Sequence, residues 1–514
     1  EWTAALCYHW GAAGDRVREA DYARRAGEDA LRLGACREAV PFLVRALERV
    51  AEQGGDAYKL GHLEALLAEA RFQLGELAEF RTWAERALRH FGLPVPSTRV
   101  GWVLGTMGQV VLRLAQSARP DVYDAETEEK RRVRLVAGRL LMRLTDAFIY
   151  AQEAVPVLWS GLRMLNLCEP AGASSELARG YTNMAVVMGT VPIHPLAEAW
   201  AGRAWDVAER VGSPSDLAYV LCRNAVYAAY VARWSEVEGA LARAIGIVDS
   251  VGDLRLAEEC RSFLAVTGLY QGRFAEGLPL MAWMEGSARR RGALQTQHWA
   301  LHYQAHIHLR LGQHDKARAA LEETLAWTEA QGGLTDRIIV DGTLALLRLR
   351  EGNTRGAREA AEKALAMLSA GKPVAHFVYF GAMAVAEVLL TLWARDGGVD
   401  ATLESSARAA CNAMDAFAKV FPFGQPAALL WRGSEAWEAG DAARAYGLWR
   451  RCITLAGKQG SAYEEARARL ELARHLPPED PARRVHLHRA VELFTKLGTR
   501  NELAWARAEA VRSV

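Results

Sequence analysis

Glycine recurs at a fixed interval of 40 residues through the middle of this 514-residue chain. Two interleaved series share this spacing: Gly272, Gly312 and Gly352 in one, and Gly212, Gly252, Gly292 and Gly332 in the other. Glycine readily adopts the left-handed conformation that ends an α-helix. Two series with one period therefore predict two helices and two kinds of turn in each repeat.

Small side chains accompany these turns at fixed distances. Further copies of the first series align at Gly34, Gly75, the region near Ala232, and Gly440. Seven residues before the turn the chain has Gly27, Ala68, Ala225, Ala265, Ala305, Ala345 and Gly433. Small residues let neighbouring helix backbones approach closely. The pattern resembles the tetratricopeptide repeat, whose usual period is about 34 residues. We therefore predict an all-α fold, a tetratricopeptide-like α-solenoid forming a right-handed superhelix of helix-turn-helix repeats with a period of about 40.

Proline-containing segments divide the predicted solenoid. Residues 93–97 (LPVPS) cannot be helical through their prolines, and an apolar helix from about Val100 to Ala115 is expected next. A second loop is expected at residues 117–121, and residues 476–481 (LPPEDP) separate the final unit. The predicted units are N-terminal repeats 1–92, an insertion 93–132, the main array 133–395, C-terminal repeats 396–475 and a capping unit 476–514.

Charge and cysteine content exclude several classes of protein. Lys and Arg total 63 and Asp and Glu total 61, so the chain lacks the basic surplus typical of nucleic-acid binding. Seven cysteines without a C-x-x-C pair argue against a disulfide framework or zinc site and favour the cytoplasm. The most apolar run, residues 379–394, is short for a membrane span and contains Glu387, so it predicts a buried helix and no membrane partner.

Three histidines, His298, His302 and His306, follow one another at i, i+4 and i+8 along one predicted helix. Imidazoles at this spacing can share a metal ion, which makes the three weak metal candidates. Lining of a groove and ordinary packing remain open for the same side chains. No H-E-x-x-H motif is present, and we assign no catalytic residue, no metal and no cofactor.

Alignment on the repeat also places several side chains towards the concave side of the solenoid. These groove-lining candidates are Asn183, Arg223, Asn224, Trp299, His302, His306 and Trp437. Polar groups at such positions can bind a peptide backbone or a carboxylate. An interhelical role for the same polar groups, and a packing role for the tryptophans, remain alternatives.

Residues 8–15 (YHWGAAGD), 26–35 (AGEDALRLGA) and 204–212 (AWDVAERVG) carry a family resemblance. The chain resembles the C-terminal helical-repeat region of multidomain signalling proteins with a STAND-type ATPase, often linked to an adenylate/guanylate cyclase or a Ser/Thr kinase. Maltose-regulator-like transcription factors share this architecture. The resemblance covers most of the chain in general pattern and includes no diagnostic motif.

The resemblance implies a non-catalytic regulatory sensor. Its expected partners are a protein or peptide, the parent's own ATPase or effector domains, and a small effector. The helical pattern present from Glu1 onward suggests a segment of a longer polypeptide, and no G-x-x-x-x-G-K-[ST] phosphate loop occurs in it. The alternative is an inducer-sensing solenoid of a transcription regulator. A metal-dependent enzyme that uses the His298/His302/His306 helix is a remote third hypothesis.

Overall fold

The computed structural model describes residues 2–118, 127–191, 193–373 and 375–511. Within these ranges it has 25 α-helices, three short 3-10 helices and no β-strand, which confirms the predicted all-α, tetratricopeptide-like solenoid. The α-helices are α1 (Trp2–Ala12), α2 (Arg16–Arg32), α3 (Cys36–Glu52), α4 (Ala57–Leu74), α5 (Leu77–His90), α6 (Arg99–Ala118), α7 (Glu128–Tyr150), α8 (Ala154–Cys168), α9 (Ser175–Thr190), α10 (His194–Val211), α11 (Pro214–Tyr230), α12 (Trp234–Val251), α13 (Leu254–Tyr270), α14 (Phe274–Arg291), α15 (Leu294–Arg310), α16 (His314–Gln331), α17 (Leu334–Arg350), α18 (Thr354–Ser369), α19 (Tyr379–Asp396), α20 (Ala401–Val420), α21 (Gln425–Glu438), α22 (Ala442–Gln459), α23 (Ala462–His475), α24 (Pro481–Leu497) and α25 (Arg500–Val511).

The periodic glycines end helices as predicted, with one exception. Six of them have φ between 66° and 82°: Gly212, Gly252, Gly272, Gly292, Gly312 and Gly352. Gly332 has an extended backbone instead, with φ −63°, because Gly333 directly after it is the N-cap of α17. Ala232 takes the left-handed conformation, with φ 58°, at the place where the neighbouring repeats carry glycine.

The helices form an inner and an outer layer. Inner helices are buried around most of their circumference; α19, for example, has 14 buried residues among its 18. Outer helices bury a single stripe, and α12 buries only Val237, Leu241, Ala244 and Val248. This spacing of four and three residues is that of one amphipathic face. The alanines seven residues before the turns lie in the inner layer and are buried, where close helix packing needs them.

The most apolar run of the chain is a core helix. Residues His376–Asp396 are long and apolar enough to cross a membrane by length and composition, yet 83% of their apolar window is buried within the protein. Helix α19 packs against α17, α18, α20 and α21. The contact with α17 is close, because a Cβ on Gly381 would lie 2.4 Å from the carbonyl oxygen of Ile338. The predicted buried helix is confirmed.

The described part of the predicted insertion, residues 93–132, contains one complete helix and the start of the next. Residues 93–97 are irregular and are followed by the expected apolar helix, α6. Helix α6 packs on α8, while α4 and α5 contact α7 directly. The predicted loop at 117–121 falls largely outside the described residues. One hydrophobic core of the described residues extends from Ala218 to Ala506, and the predicted units 396–475 and 476–514 both contribute to it.

The solenoid curves until successive turns touch. Arg255 of α13 lies 3.4 Å from Glu69 of α4. The indole N–H of Trp234, at the start of α12, donates to the carbonyl oxygen of Gln459 at the end of α22, over 2.5 Å. Gly312 after α15 meets Arg500 at the start of α25. Each contact joins helices nine or ten apart, so about five helix pairs complete one turn.

Candidate functional site

A cavity of about 120 Å³ lies where the N-terminal part of the solenoid meets its central part. Helices α4 and α7 supply one side of its wall, and α11, α13, α15 and α17 supply most of the rest. Charged and aromatic side chains dominate this wall. Because the walls come from helices far apart in the chain, a ligand in the cavity would contact two turns of the solenoid at once.

Ion pairs connect Arg223, Arg255 and Glu259 in the wall of this cavity with Glu69 and Arg143, which do not line it. Glu69 accepts hydrogen bonds from Arg143, at 3.1 Å, and from Arg255, at 3.4 Å. Glu259 accepts from Arg223 at 3.1 Å and lies 3.6 Å from Arg255. Burial raises the pKa of Glu69, but Arg143 and Arg255 outweigh it and hold that pKa at about 2. The network therefore stays ionised and connects α4, α7, α11 and α13.

Aromatic groups and one carboxyl form the side of the cavity towards α17. The indole N–H of Trp299 donates to Asp336 over 2.9 Å, and the ring of Tyr150 lies edge-on to Trp299 with centroids 5.4 Å apart. The carboxyl of Asp336 also accepts from the backbone N–H of Gly333, which caps α17. Burial raises the pKa of Asp336 to about 6, although the bonds from Gly333 and Trp299 oppose this rise. This carboxyl changes charge near neutral pH.

Two buried nitrogen atoms of cavity-lining residues lack hydrogen-bond partners among the residues the structure describes. They are Nε of Arg223 and Nε2 of His302. Burial lowers the pKa of His302 to about 3, so its imidazole is neutral at physiological pH. A buried polar atom without a partner costs about 1–3 kcal/mol. A polar ligand or an ordered water that paired with these atoms would recover that free energy.

The groove-lining candidates from the sequence fall into three groups. Arg223, Trp299 and His302 line the one cavity together. Asn183 and Asn224 make hydrogen bonds within the inner layer, since Asn183 accepts from the hydroxyl of Tyr219 over 2.9 Å and Asn224 from that of Thr182 over 2.7 Å. The two remaining candidates pack on aromatic groups: His306 lies against Phe380, and Trp437 stacks on His475 with centroids 3.8 Å apart.

The three histidines of α15 contact different neighbours. His298 stacks on Trp327, with centroids 4.6 Å apart, and its Nδ1 lies 3.0 Å from the hydroxyl of Thr324. The ring of His302 contacts Tyr303. Burial lowers the pKa of His306 well below its usual value, and the nearby Arg310 lowers it further. Among the described parts of the chain, no group of three His, Cys, Asp or Glu side chains is placed to hold a metal ion.

Most residues of the cavity wall are not among the candidates from the sequence, although the 40-residue period relates many of them to those candidates. Twelve residues of the wall form four sets, and within each set the residues are 40 positions apart. The sets are Arg255, Gln295 and Thr335; Glu259, Trp299 and Ile339; Cys222, Ser262 and His302; and Arg223, Phe263 and Tyr303. Shifts of 40 residues from Arg223, Trp299 and His302, the three candidates that line the cavity, lead to their neighbours in the wall. Asp146 and Tyr150 on α7 carry no such signal, because the curvature of the solenoid brings them to the site.

No protein-family model matches the sequence, and a search of curated proteins gives no match either. Solved structures do resemble the fold. The Rap protein complexed with competence and sporulation factor is 14% identical, with a TM-score of 0.47, and the match covers 76% of this chain and 97% of that protein. The human IFIT1 dimer with m7Gppp-AAAA is 14% identical, with a TM-score of 0.41 over 79% of this chain and 86% of that one. Yeast Tom70 is 12% identical, with a TM-score of 0.35, and the match covers 95% and 99% of the two chains.

These neighbours are similar in fold alone. The fold is a tetratricopeptide-like helical repeat. Sequence identities of this size and TM-scores below 0.5 say nothing about what this chain binds, so its function has to be argued from the cavity and its chemistry.

Proposed function

We propose that this chain is a non-catalytic regulatory module that binds a short peptide at the cavity between α4, α7, α11, α13, α15 and α17, with one end or one side chain of the peptide inside the cavity. The observation that carries the proposal is the position of the cavity at the contact between two turns of the solenoid. A ligand held there bridges N-terminal and central helices, which a ligand on the outer surface of a single repeat would not do.

The chemistry of the wall favours a peptide over a purely apolar or purely anionic ligand. Arg223, Arg255 and Arg291 offer guanidinium groups, while Glu259 and Asp336 offer carboxylates. A short peptide carries donors and acceptors along its backbone and opposite charges at its two ends, so it can pair with both kinds of group. The aromatic side chains between the charges can pack against an apolar peptide side chain.

Regulation would follow from a change in the curvature of the solenoid. Repeat proteins have few contacts beyond neighbouring units, so a ligand that strengthens one contact between turns changes the preferred shape of the whole array. The ligand can shift this equilibrium only by the difference in its affinity for the two shapes. The arginines and carboxylates along α4, α7, α11 and α13 belong to both turns, and they are the groups through which a peptide would act.

The larger context is a further part of the proposal. The resemblance in residues 8–15, 26–35 and 204–212 supports a place beside a STAND-type ATPase, whose activity the solenoid would restrain or release. Sequencing the gene on both sides of this segment tests that context. A phosphate-binding loop upstream supports it, whereas an adjacent helix-turn-helix domain supports the inducer-sensing regulator instead.

Peptide binding is tested by thermal shift and calorimetry with a synthetic library of short peptides with free termini. Ser262 lies on the cavity wall, and Ser262→Leu places a larger side chain inside it. Ser434 is likewise half-buried on an inner helix but lies away from the cavity, so Ser434→Leu is the matched control. We expect at least one peptide to bind the wild type and the control, and to lose about tenfold or more in affinity, or ~1.4 kcal/mol, with Ser262→Leu.

A peptide that binds all three proteins equally would contradict binding at this cavity. Free amino acids and nucleotides are measured in the same assay. If these ligands bind in a Ser262-dependent manner and no peptide does, the cavity is a small-effector site and the peptide part of the proposal is wrong.

A further inference from the structure

Helix α6 turns polar side chains towards the protein, whereas an outer helix such as α12 turns apolar ones inward. The face that α6 turns to the protein is rich in polar groups: Gln109 and Arg113 are buried there, Arg113 pairs with Glu169, and the side chain of Asn166 donates to Gln109. The opposite face is apolar and exposed. Its exposed side chains are Val100, Val103, Leu104, Met107, Val110, Val111, Leu112 and Leu114.

The exposed face has the spacing of a helix-pairing seam. Val100, Val103, Met107, Val110 and Leu114 follow one another at intervals of three, four, three and four residues. This is the a and d pattern by which one helix packs against another. Leu104 and Val111 widen the seam into the broader stripe of a helix bundle. In the described parts of the chain, α6 packs mainly on α8, and that contact leaves the seam uncovered.

The size of this face matches one side of a stable protein interface. Its eight exposed side chains present on the order of 800 Å² of apolar surface, which is about what each partner contributes to an interface of standard size. The largest apolar patch on a typical monomer is about 300–600 Å². An uncovered seam of this extent costs solubility, so a partner that covers it is expected.

We infer that α6 is a dimerisation helix and that the seam is covered by α6 of a second copy of this chain. The seam contains no ionised side chain: between Val100 and Ser117 the only charged residue is Arg113, which points into the protein and is paired. A neutral apolar seam meets its own copy across a two-fold axis without like-charge repulsion. The seam also has no charged group that would attract a partner of opposite charge.

The test is the mass of the full chain in solution, measured by sedimentation equilibrium over a concentration series. Val111 is 67% exposed on the seam, and Val485 is 63% exposed on the surface of α24, away from both ends of that helix. Val111→Glu and Val485→Glu are therefore the same change at equally exposed helical positions. We expect the wild type and Val485→Glu to form dimers, and Val111→Glu to weaken dimerisation by at least about tenfold, because dimerisation would bury an unpaired carboxylate.

Folding of the variants is checked by circular dichroism, and Val111→Ala provides a second variant that introduces no charge. A dimer that Val111→Glu weakens while Val485→Glu leaves it intact supports the inference. A wild type that stays monomeric at every concentration overturns it and leaves the seam to a different partner. Dimers that form equally in all variants overturn it as well, because association would then use another surface.

Discussion

A single buried carboxylate, that of Glu387 on α19, holds three arginines from three other helices. Arg310 of α15 lies 2.8 Å from it, Arg350 of α17 lies 2.5 Å and Arg467 of α23 lies 2.8 Å. The side chain of Glu387 is 1% exposed. Replacing Glu387 with Gln keeps the shape of the side chain and removes its charge, so the three guanidinium groups lose the anion they share.

The loss of stability expected for Glu387→Gln follows from this geometry. Removing one partner of a buried ion pair costs about 3–5 kcal/mol, because the other partner stays buried without compensation. Glu502 still accepts from Arg350 at 3.5 Å, and a glutamine keeps one acceptor oxygen. We therefore expect Glu387→Gln to lower the free energy of unfolding by about 3 kcal/mol, at the lower end of that range.

The contribution of Glu387 to folding stability depends on pH in a definite direction. Burial raises the pKa of Glu387, but Arg310, Arg350 and Arg467 outweigh it and hold that pKa well below its usual value. A carboxyl with a depressed folded-state pKa stabilises the protein above its unfolded-state pKa, and this contribution is lost as the pH falls through the folded value. The difference between wild type and Glu387→Gln should therefore stay constant from about pH 6 to pH 8 and shrink only in stronger acid.

Urea denaturation measures the loss of stability in Glu387→Gln, and amide hydrogen exchange shows which helices are destabilised. Exchange should accelerate in α23 (Ala462–His475) and α25 (Arg500–Val511), because Arg467 lies on α23 and Glu502, which accepts from Arg350, lies on α25. Glu359 pairs with Arg355 at 2.9 Å and is 60% exposed, so Glu359→Gln is the control and should leave stability unchanged. A cost below about 1 kcal/mol for Glu387→Gln, or a cost equal to that of the control, would refute the reasoning.

Three further predictions concern the turns, the helix contacts and the cavity. Ala232→Gly should raise the free energy of unfolding in urea by about 1 kcal/mol, because Ala232 has a φ of 58° and glycine adopts that conformation without strain. The reverse change at Gly272, which has a φ of 82°, should lower the free energy of unfolding (Gly272→Ala). Gly381→Ala should lower the melting temperature and cost about 1–3 kcal/mol, since its Cβ would meet the backbone of α17, and an unchanged melting temperature would contradict the close contact. Burial raises the pKa of Asp336 to about 6, so the contribution of its carboxyl to folding stability is present at low pH and is lost as the pH rises through 6. Asp336→Asn should therefore remove this part of the pH dependence of the urea midpoint. Trp299→Phe is the comparison, because it removes the hydrogen bond but keeps the carboxyl.

The repeat could be predicted from the sequence because it depends on local chemistry. A left-handed glycine ends a helix wherever it lies in the chain, and Gly272, Gly312 and Gly352 do so as expected. The exposed apolar character of α6 could not be predicted in the same way. Its periodicity is that of any buried helix, and only the packing of Gln109 and Arg113 shows that the polar face is the one turned inward.

The cavity was predicted only in part, for a physical reason. Trp299 and His302 follow the period of the repeat, so their inner position could be inferred. The contacts of Glu69 with Arg255 and of Thr335 with Tyr150 join residues 186 and 185 positions apart. Such contacts depend on the curvature accumulated over five helix pairs. A small change of angle in each pair would move them apart, and one sequence does not fix that angle.

Helix α15 connects the cavity with the buried ion cluster. Trp299 and His302 line the cavity, and Arg310, at the end of the same helix, contacts Glu387. Arg310 follows Trp299 by eleven positions, which is about 16 Å of α-helix, and this stretch moves as a unit because its backbone hydrogen bonds are internal. Most of α15 is buried on several sides, so it cannot shift at one end without a change at the other. We therefore expect a ligand that repositions Trp299 to act on the arginines around Glu387, and through them on α23 and α25 of the next turn.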